Sequence, residues 1–130
     1  MSTNTFESDV GKWLRAIPDA WVHHPVDHPK ARYWKPADFL VCKDGKLVAI
    51  ECKEVATGDR FPMSRWTPSQ RQNARAITAG GGRYWLLVHF KQLKATIAVL
   101  STWPWAENAS LRPGDGRTML REDVRHLVFF

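Results

Sequence analysis

The sequence predicts an α/β domain with a mixed central sheet flanked by helices. Three observations carry that expectation: an amphipathic N-terminal helix, a pair of apolar strands joined by an Asp-Gly turn, and a capped second helix followed by two further strands. The order helix, short strand, hairpin, helix, hairpin is that of a sheet whose faces are covered by helices. With 130 residues, 44% of them hydrophobic, the chain can bury one core, and we expect a single domain over 1–130.

Each element has a local reason. From Thr5 to Ile17, Phe6, Val10, Trp13, Leu14 and Ile17 form the stripe of an amphipathic helix, and Pro18 ends it. Trp21 to His24 reads as a short strand, and the His-Pro-Val-Asp-His-Pro run after it as a loop. Ala37 to Cys42 and Leu47 to Lys53 read as strands around Lys43-Asp44-Gly45-Lys46, where Asp-Gly is a strong hairpin signal. They are expected to be central, because both of their faces are largely apolar. Val55 to Trp66 reads as a loop. Thr67-Pro68-Ser69-Gln70 then opens a helix, with Thr at the N-cap, Pro at the first position and Gln closing a capping box. Gly80-Gly81-Gly82 stops it near Ala79, and Tyr84 to Phe90 and Ala95 to Leu100 follow as strands. Ser101 to Gly116 reads as irregular, with a last short helix near Thr118 to Val124 and an apolar tail from Leu127 to Phe130.

Composition limits the partners. A formal charge of +6 and a pI near 9.7, with Lys and Arg spread along the chain, point to a polyanion. Of the seven Trp residues, Trp13, Trp21, Trp66 and Trp85 fit core positions, while Trp34, Trp103 and Trp105 lie in Pro-containing loops where they could stack on bases or pack a partner. Cys42 and Cys52 lack the spacing of a zinc site or a disulfide framework and read as buried reduced thiols. No stretch is long and apolar enough to span a bilayer and no signal peptide is evident, so a soluble, cytoplasmic protein is expected.

The hairpin brings chemistry together. If Asp44-Gly45 is a two-residue turn, Lys43 faces Lys46, and counting back sets Asp38 opposite Glu51. Side chains alternate along a strand, so Glu51 and Lys53 share a face and Asp38 joins them across the strands. Opposed carboxylates at that spacing repel unless a positive charge lies between them, and hard oxygen ligands suit Mg²⁺, with Mn²⁺ as a substitute. Such a metal shared with a phosphate describes a phosphodiester-cleaving site, with Lys53 placed to orient or deprotonate water and to offset charge. The bland alternative makes Asp38 a strand cap after Pro36 and leaves Glu51 and Lys53 on a solvated face; the apolar strands around them weigh against it.

Pro36-Ala37-Asp38, twelve intervening residues, then Glu51-Cys52-Lys53 resembles the P-D…(D/E)-x-K signature of the restriction-endonuclease-like, or PD-(D/E)XK, nucleases. The segment from Phe61-Pro62-Met63 to Ser69-Gln70-Arg71-Gln72 is similar to that of RecU-type resolvases, and size and element order resemble the archaeal Holliday junction resolvases. The resemblance spans roughly residues 5 to 100. It implies that Glu7 supplies the N-terminal acidic residue, with Asp9 close by, and that Gln70 is a site residue as well as a cap, with Gln72 as the alternative. It also implies metal ligation by Glu7, Asp38, Glu51 and the Cys52 backbone carbonyl, and catalysis by Glu7, Asp38, Glu51, Lys53 and Gln70.

The function so implied is an Mg²⁺-dependent structure-selective DNA endonuclease, a Holliday junction resolvase of recombination and repair acting as a homodimer on four-way junctions. Another nuclease of the superfamily, restriction-like, repair or flap, is the alternative, and a non-catalytic nucleic-acid-binding module the third reading. Lys30, Arg32, Lys35, Arg60, Arg65 and Arg71, interleaved with Tyr33, Trp34 and Trp66, are the candidate phosphate contacts. His23, His24 and His28 match no standard ligand spacing and read as exposed loop histidines. Dimer contacts are expected at Trp103-Pro104-Trp105 and at the tail Leu127 to Phe130.

Overall fold

The computed structural model describes residues 5–25, 35–103, 109–119 and 123–128. Helix α1 (Thr5–Arg15) is followed by strands β1 (Trp21–His23), β2 (Phe39–Lys43) and β3 (Lys46–Val55). After a two-residue strand β4 (Phe61–Pro62) and a 3-10 turn at Met63–Arg65 comes α2 (Pro68–Ala79). Then follow β5 (Arg83–Phe90), β6 (Ala95–Leu100), β7 (Ser110–Leu111), β8 (Arg117–Thr118) and α3 (Val124–Leu127). Among the described residues the main sheet has six strands in the order β1-β2-β3-β5-β6-β8, and β4 pairs separately with β7. Only the central β3–β5 pairing of the main sheet is parallel, made by the crossover through α2. This is the expected mixed sheet flanked by helices.

The hairpin has the expected register. Lys43 pairs with Lys46 and Phe39 with Ile50, and Asp44 and Gly45 both take positive φ, as a two-residue hairpin turn of the type I′ family requires. One face of the sheet packs Phe39, Val41, Val48, Ile50, Trp85 and Leu87 against Phe6, Val10 and Leu14 of α1 and Val124 and Leu127 of α3. The other packs Ala49, Tyr84, Leu86 and Val88 under Ala74 of α2, beside Phe61 and Leu111 of the β4–β7 pair. Gly11 lets α1 lie close to the sheet, because a Cβ there would come within 3.1 Å of the Phe39 ring.

Several expectations need correction. Trp21 is 57% exposed rather than in the core, because β1 is a three-residue edge strand. Helix α1 ends at Arg15, with Ile17 closing a tighter turn onto Leu14 before Pro18. The stretch from Ser101 to Gly116 includes β7, and Thr118 belongs to β8 rather than to a helix. The last helix is Val124–Leu127, and Leu127 and Val128 are buried against α1, where the Leu127 carbonyl accepts the Trp85 indole N–H at 3.1 Å. These two residues therefore cannot form the exposed patch expected of a dimer contact. Trp103 is exposed, whereas Pro104, Trp105, Phe129 and Phe130 lie outside the described residues. No described helix is long and apolar enough to cross a membrane.

Candidate active site

Asp38 sits at the bend that leads into β2, one step before the Phe39–Ile50 pair, and so falls opposite Glu51. Both carboxylates are buried, at 4% and 6% exposure, and they are the only buried charged side chains among the described residues. Asp38 is held at both oxygens: the Cys52 backbone N–H donates to Oδ2 at 2.8 Å, and the Lys35 ammonium lies 3.1 Å from Oδ1. Lys35, expected as a phosphate contact, is thus also the counter-charge to Asp38.

Glu51 is pushed up to about 9, first by burial and then by the negative charge of Asp38 and a side-chain hydrogen bond with it, against weaker opposing effects of Lys53 and Lys35. At neutral pH the metal-free pair therefore keeps a proton that a divalent cation could replace. Lys53 stands half-buried two residues along the same face. The Cys52 thiol, on the opposite face, is raised well above its usual range by burial, then by the fields of Asp38, Glu51 and Glu7. It is inert as a nucleophile in that state.

Gln70 does two things at once. Its Oε1 accepts the Thr67 backbone N–H at 3.0 Å while its own N–H donates to Thr67 Oγ1 at 3.2 Å, completing the capping box. Its Nε2 meanwhile donates to Glu51 Oε2 at 3.4 Å, a long bond that nonetheless ties the start of α2 to the carboxylate pair. The cap and the contact with Glu51 coexist.

Glu7, in the first turn of α1, lies close enough for its charge to act on Cys52, and its Oε2 is 2.8 Å from His24 Nε2. Among the described residues, no three His, Cys, Asp or Glu side chains form a ready metal-ligand group. The donors that do converge, Asp38 and Glu51, are buried hard oxygens whose charge Lys35 and a retained proton offset, and they fit a small divalent cation. His24, expected as an exposed loop histidine, is exposed, but its contact with Glu7 was not anticipated from the sequence. Its signal was faint, a His-Pro step after a strand, and its partner lies 17 residues away in the chain.

The remaining cationic candidates differ in setting. Arg65 donates to the Glu54 carbonyl at 3.2 Å and lies over the Phe61 ring, Arg60 is exposed beside Asp59, and Arg71 lines a groove with Trp66, Arg75, Thr78 and Ser101. Lys30, Arg32, Tyr33, Trp34 and His28 lie outside the described residues.

No family model and no curated protein matches this sequence. Among solved structures, the chain is similar to Hjc, a Holliday junction resolvase from the archaeal hyperthermophile Archaeoglobus fulgidus, with a TM-score of 0.63 and 12% identity. The match covers 97% of this chain and 100% of that one. The likeness is one of fold, and it is the fold that the P-D…E-x-K motif led us to expect.

Proposed function

We propose that this protein is a divalent-metal-dependent DNA endonuclease that resolves four-way junctions by paired nicks, in the service of recombination and repair. The observation that carries this reading is the buried Asp38–Glu51 pair, with Lys53 on the same face and Gln70 bonded to Glu51, set in the fold of a known junction resolvase.

Asp38 and Glu51 would hold the cation, with the Cys52 carbonyl and Glu7 as the further candidate donors. Mg²⁺, or Mn²⁺ in its stead, supplies polarisation of the scissile phosphate and a lowered pKa for the attacking water. The chain itself supplies the rest. The Cys52 N–H and Lys35 fix the Asp38 carboxylate, so that its orientation does not have to be found during the reaction. Gln70 fixes Glu51 from the start of α2. As an ammonium, Lys53 brings a positive charge to the place where negative charge develops on the phosphate oxygens; in its neutral form it would instead take a proton from the attacking water. Distributed cations, among them Arg60, Arg65 and Arg71, bind the backbone and give affinity rather than rate.

One active site per chain makes one nick, and resolution needs two that are related by symmetry. A twofold homodimer matches both that need and the symmetry of a four-way junction. The test is cleavage of four-way junctions, flaps, single strands and linear duplexes, each with Mg²⁺ and with EDTA, together with light scattering on free and junction-bound protein. Paired, EDTA-sensitive nicks confined to the junction by a dimer are expected. Cleavage of flaps or linear duplexes in preference to junctions makes it another nuclease of the superfamily, and tight binding without cleavage makes it a binding module.

A further inference from the structure

Two exposed rings share a face of the sheet with the carboxylate pair. Strand β1 pairs Trp21 with Cys42 and His23 with Leu40, and β2 in turn pairs Cys42 with Leu47 and Leu40 with Ala49. Opposed side chains of an antiparallel pair lie on one face, so both rings fall on the side of Asp38, Glu51 and Lys53, while Val22 packs toward α1. Exposure rises along this face toward the sheet edge. Ala49 is buried, Leu40 and Cys42 are half-buried, and His23, Leu47 and Trp21 are exposed, Trp21 at 57%. The Trp21 and His23 rings stack, with centroids 5.5 Å apart and planes 15° from parallel. With a rise of about 3.3 Å per residue and strands about 4.8 Å apart, His23 stands about 8 Å and Trp21 about 14 Å from Asp38, backbone to backbone. A duplex strand advances about 3.4 Å per nucleotide, so both rings lie within a few nucleotides of a phosphate at the carboxylate pair.

We propose that Trp21 and His23 form a stacking platform for an unpaired base of the DNA strand being cut, an inference that rests on the nuclease reading above. A base inside a duplex has both faces covered by its neighbours, whereas a base freed at a branch point has a face to offer an aromatic ring. Every base has such a face, so the platform selects the state of the strand rather than its sequence. The net charge of +6 draws the backbone in, and the rings add the contact that charge alone does not make. A second copy of this chain fits the same surface less well. Strand β1 offers an edge of three residues, and a Trp side chain buries at most about 250 Å², against the roughly 800 Å² per partner of a stable interface.

The experiment measures, in EDTA, the binding of a short oligothymidylate and of a linear duplex of the same length to the full chain, as wild type, Trp21→Ala, Trp21→Phe and His23→Ala. Melting temperatures, light scattering and Mg²⁺-dependent junction cleavage are taken on the same preparations. We expect Trp21→Ala to lose roughly tenfold in affinity for the single strand and His23→Ala less, with duplex affinity unchanged and Trp21→Phe recovering most of the loss. The loss should be equal at low and high salt, because stacking releases no counterions. Wild-type affinity for oligothymidylate in Trp21→Ala, while wild type cuts junctions, overturns the inference and leaves the nuclease reading standing. Equal losses on single strand and duplex overturn it too, as does a dimer that dissociates in Trp21→Ala, which makes the edge a contact between subunits. No binding of oligothymidylate by wild type has the same consequence. A wild type that cuts no DNA with Mg²⁺ removes the nuclease reading and this inference together.

Discussion

On one face of the β2–β3 hairpin, Phe39, Val41, Val48 and Ile50 are buried against α1 and α3; on the other, one residue out of step, Asp38 and Glu51 are buried nearly as completely. Burial of the first set is the main stabilising term of the fold, whereas burial of the second costs free energy that only a proton, a lysine or a cation offsets. The two sets lie on the same backbone and are separated only by the strand's period of two. A register slip of one residue would turn the carboxylates toward α1 and the aliphatics toward the α2 side. The apolar face thus enforces the geometry that the polar face uses.

That division can be broken from either side. The largest effect is expected on the polar face. Asp38→Asn, Glu51→Gln and Lys53→Ala should each lower junction cleavage by about 100-fold or more while DNA affinity changes little, because affinity is spread over many phosphate contacts. Single-turnover cleavage and binding isotherms on folded variants check this, and a wild-type rate in any one of them removes that residue from the machinery. On the apolar face, Ile50→Ala should cost about 2–5 kcal/mol in denaturant unfolding, yet leave the rate per folded molecule within a few-fold. A rate loss as large as that of Glu51→Gln would show that the two faces are not separable.

The third test uses pH. Between the ordinary carboxylate value of 4.5 and the value of about 9 in the fold, the native metal-free chain holds a proton at Glu51 that the unfolded chain has released. Glu51 therefore favours folding most at low pH, and that contribution is lost as pH rises through the window. Melting temperatures of the metal-free protein from about pH 5 to about pH 9 should fall more steeply for wild type than for Glu51→Gln. Mg²⁺ should flatten the wild-type profile by taking the proton's place, with proton release on binding as the calorimetric sign.

The smallest effect concerns Gln70, which belongs to both functions. Gln70→Glu keeps a capping-box acceptor and should change stability by less than about 0.5 kcal/mol, but it sets a third carboxylate against Glu51 and should slow cleavage. Gln70→Ala should lose about 1 kcal/mol of helix stability as well. Wild-type rates in both variants would mean that the 3.4 Å contact with Glu51 has no role in the reaction.

What the amino-acid sequence determined by itself was whatever depends on near neighbours. The Asp44-Gly45 turn set the register that opposes Asp38 to Glu51, strand alternation put Lys53 beside them, and Thr67-Pro68 with Gln70 marked the start of α2 to the residue. Dipeptides, caps and periods act over a few residues, and each was strong enough here to withstand its tertiary surroundings. Only the tertiary structure decided what depends on residues far apart in the chain. The exposure of Trp21 followed from β1 being an edge, and β7 and β8 are two-residue strands with no period to read, formed because Phe61 and Ile97 offer partners. Leu127 and Val128 are buried because Leu127 found α1 and the Trp85 indole. The contact of Gln70 with Glu51 and the bond between His24 and Glu7 arose in the same way, since each requires two elements that meet only after the sheet has closed around them.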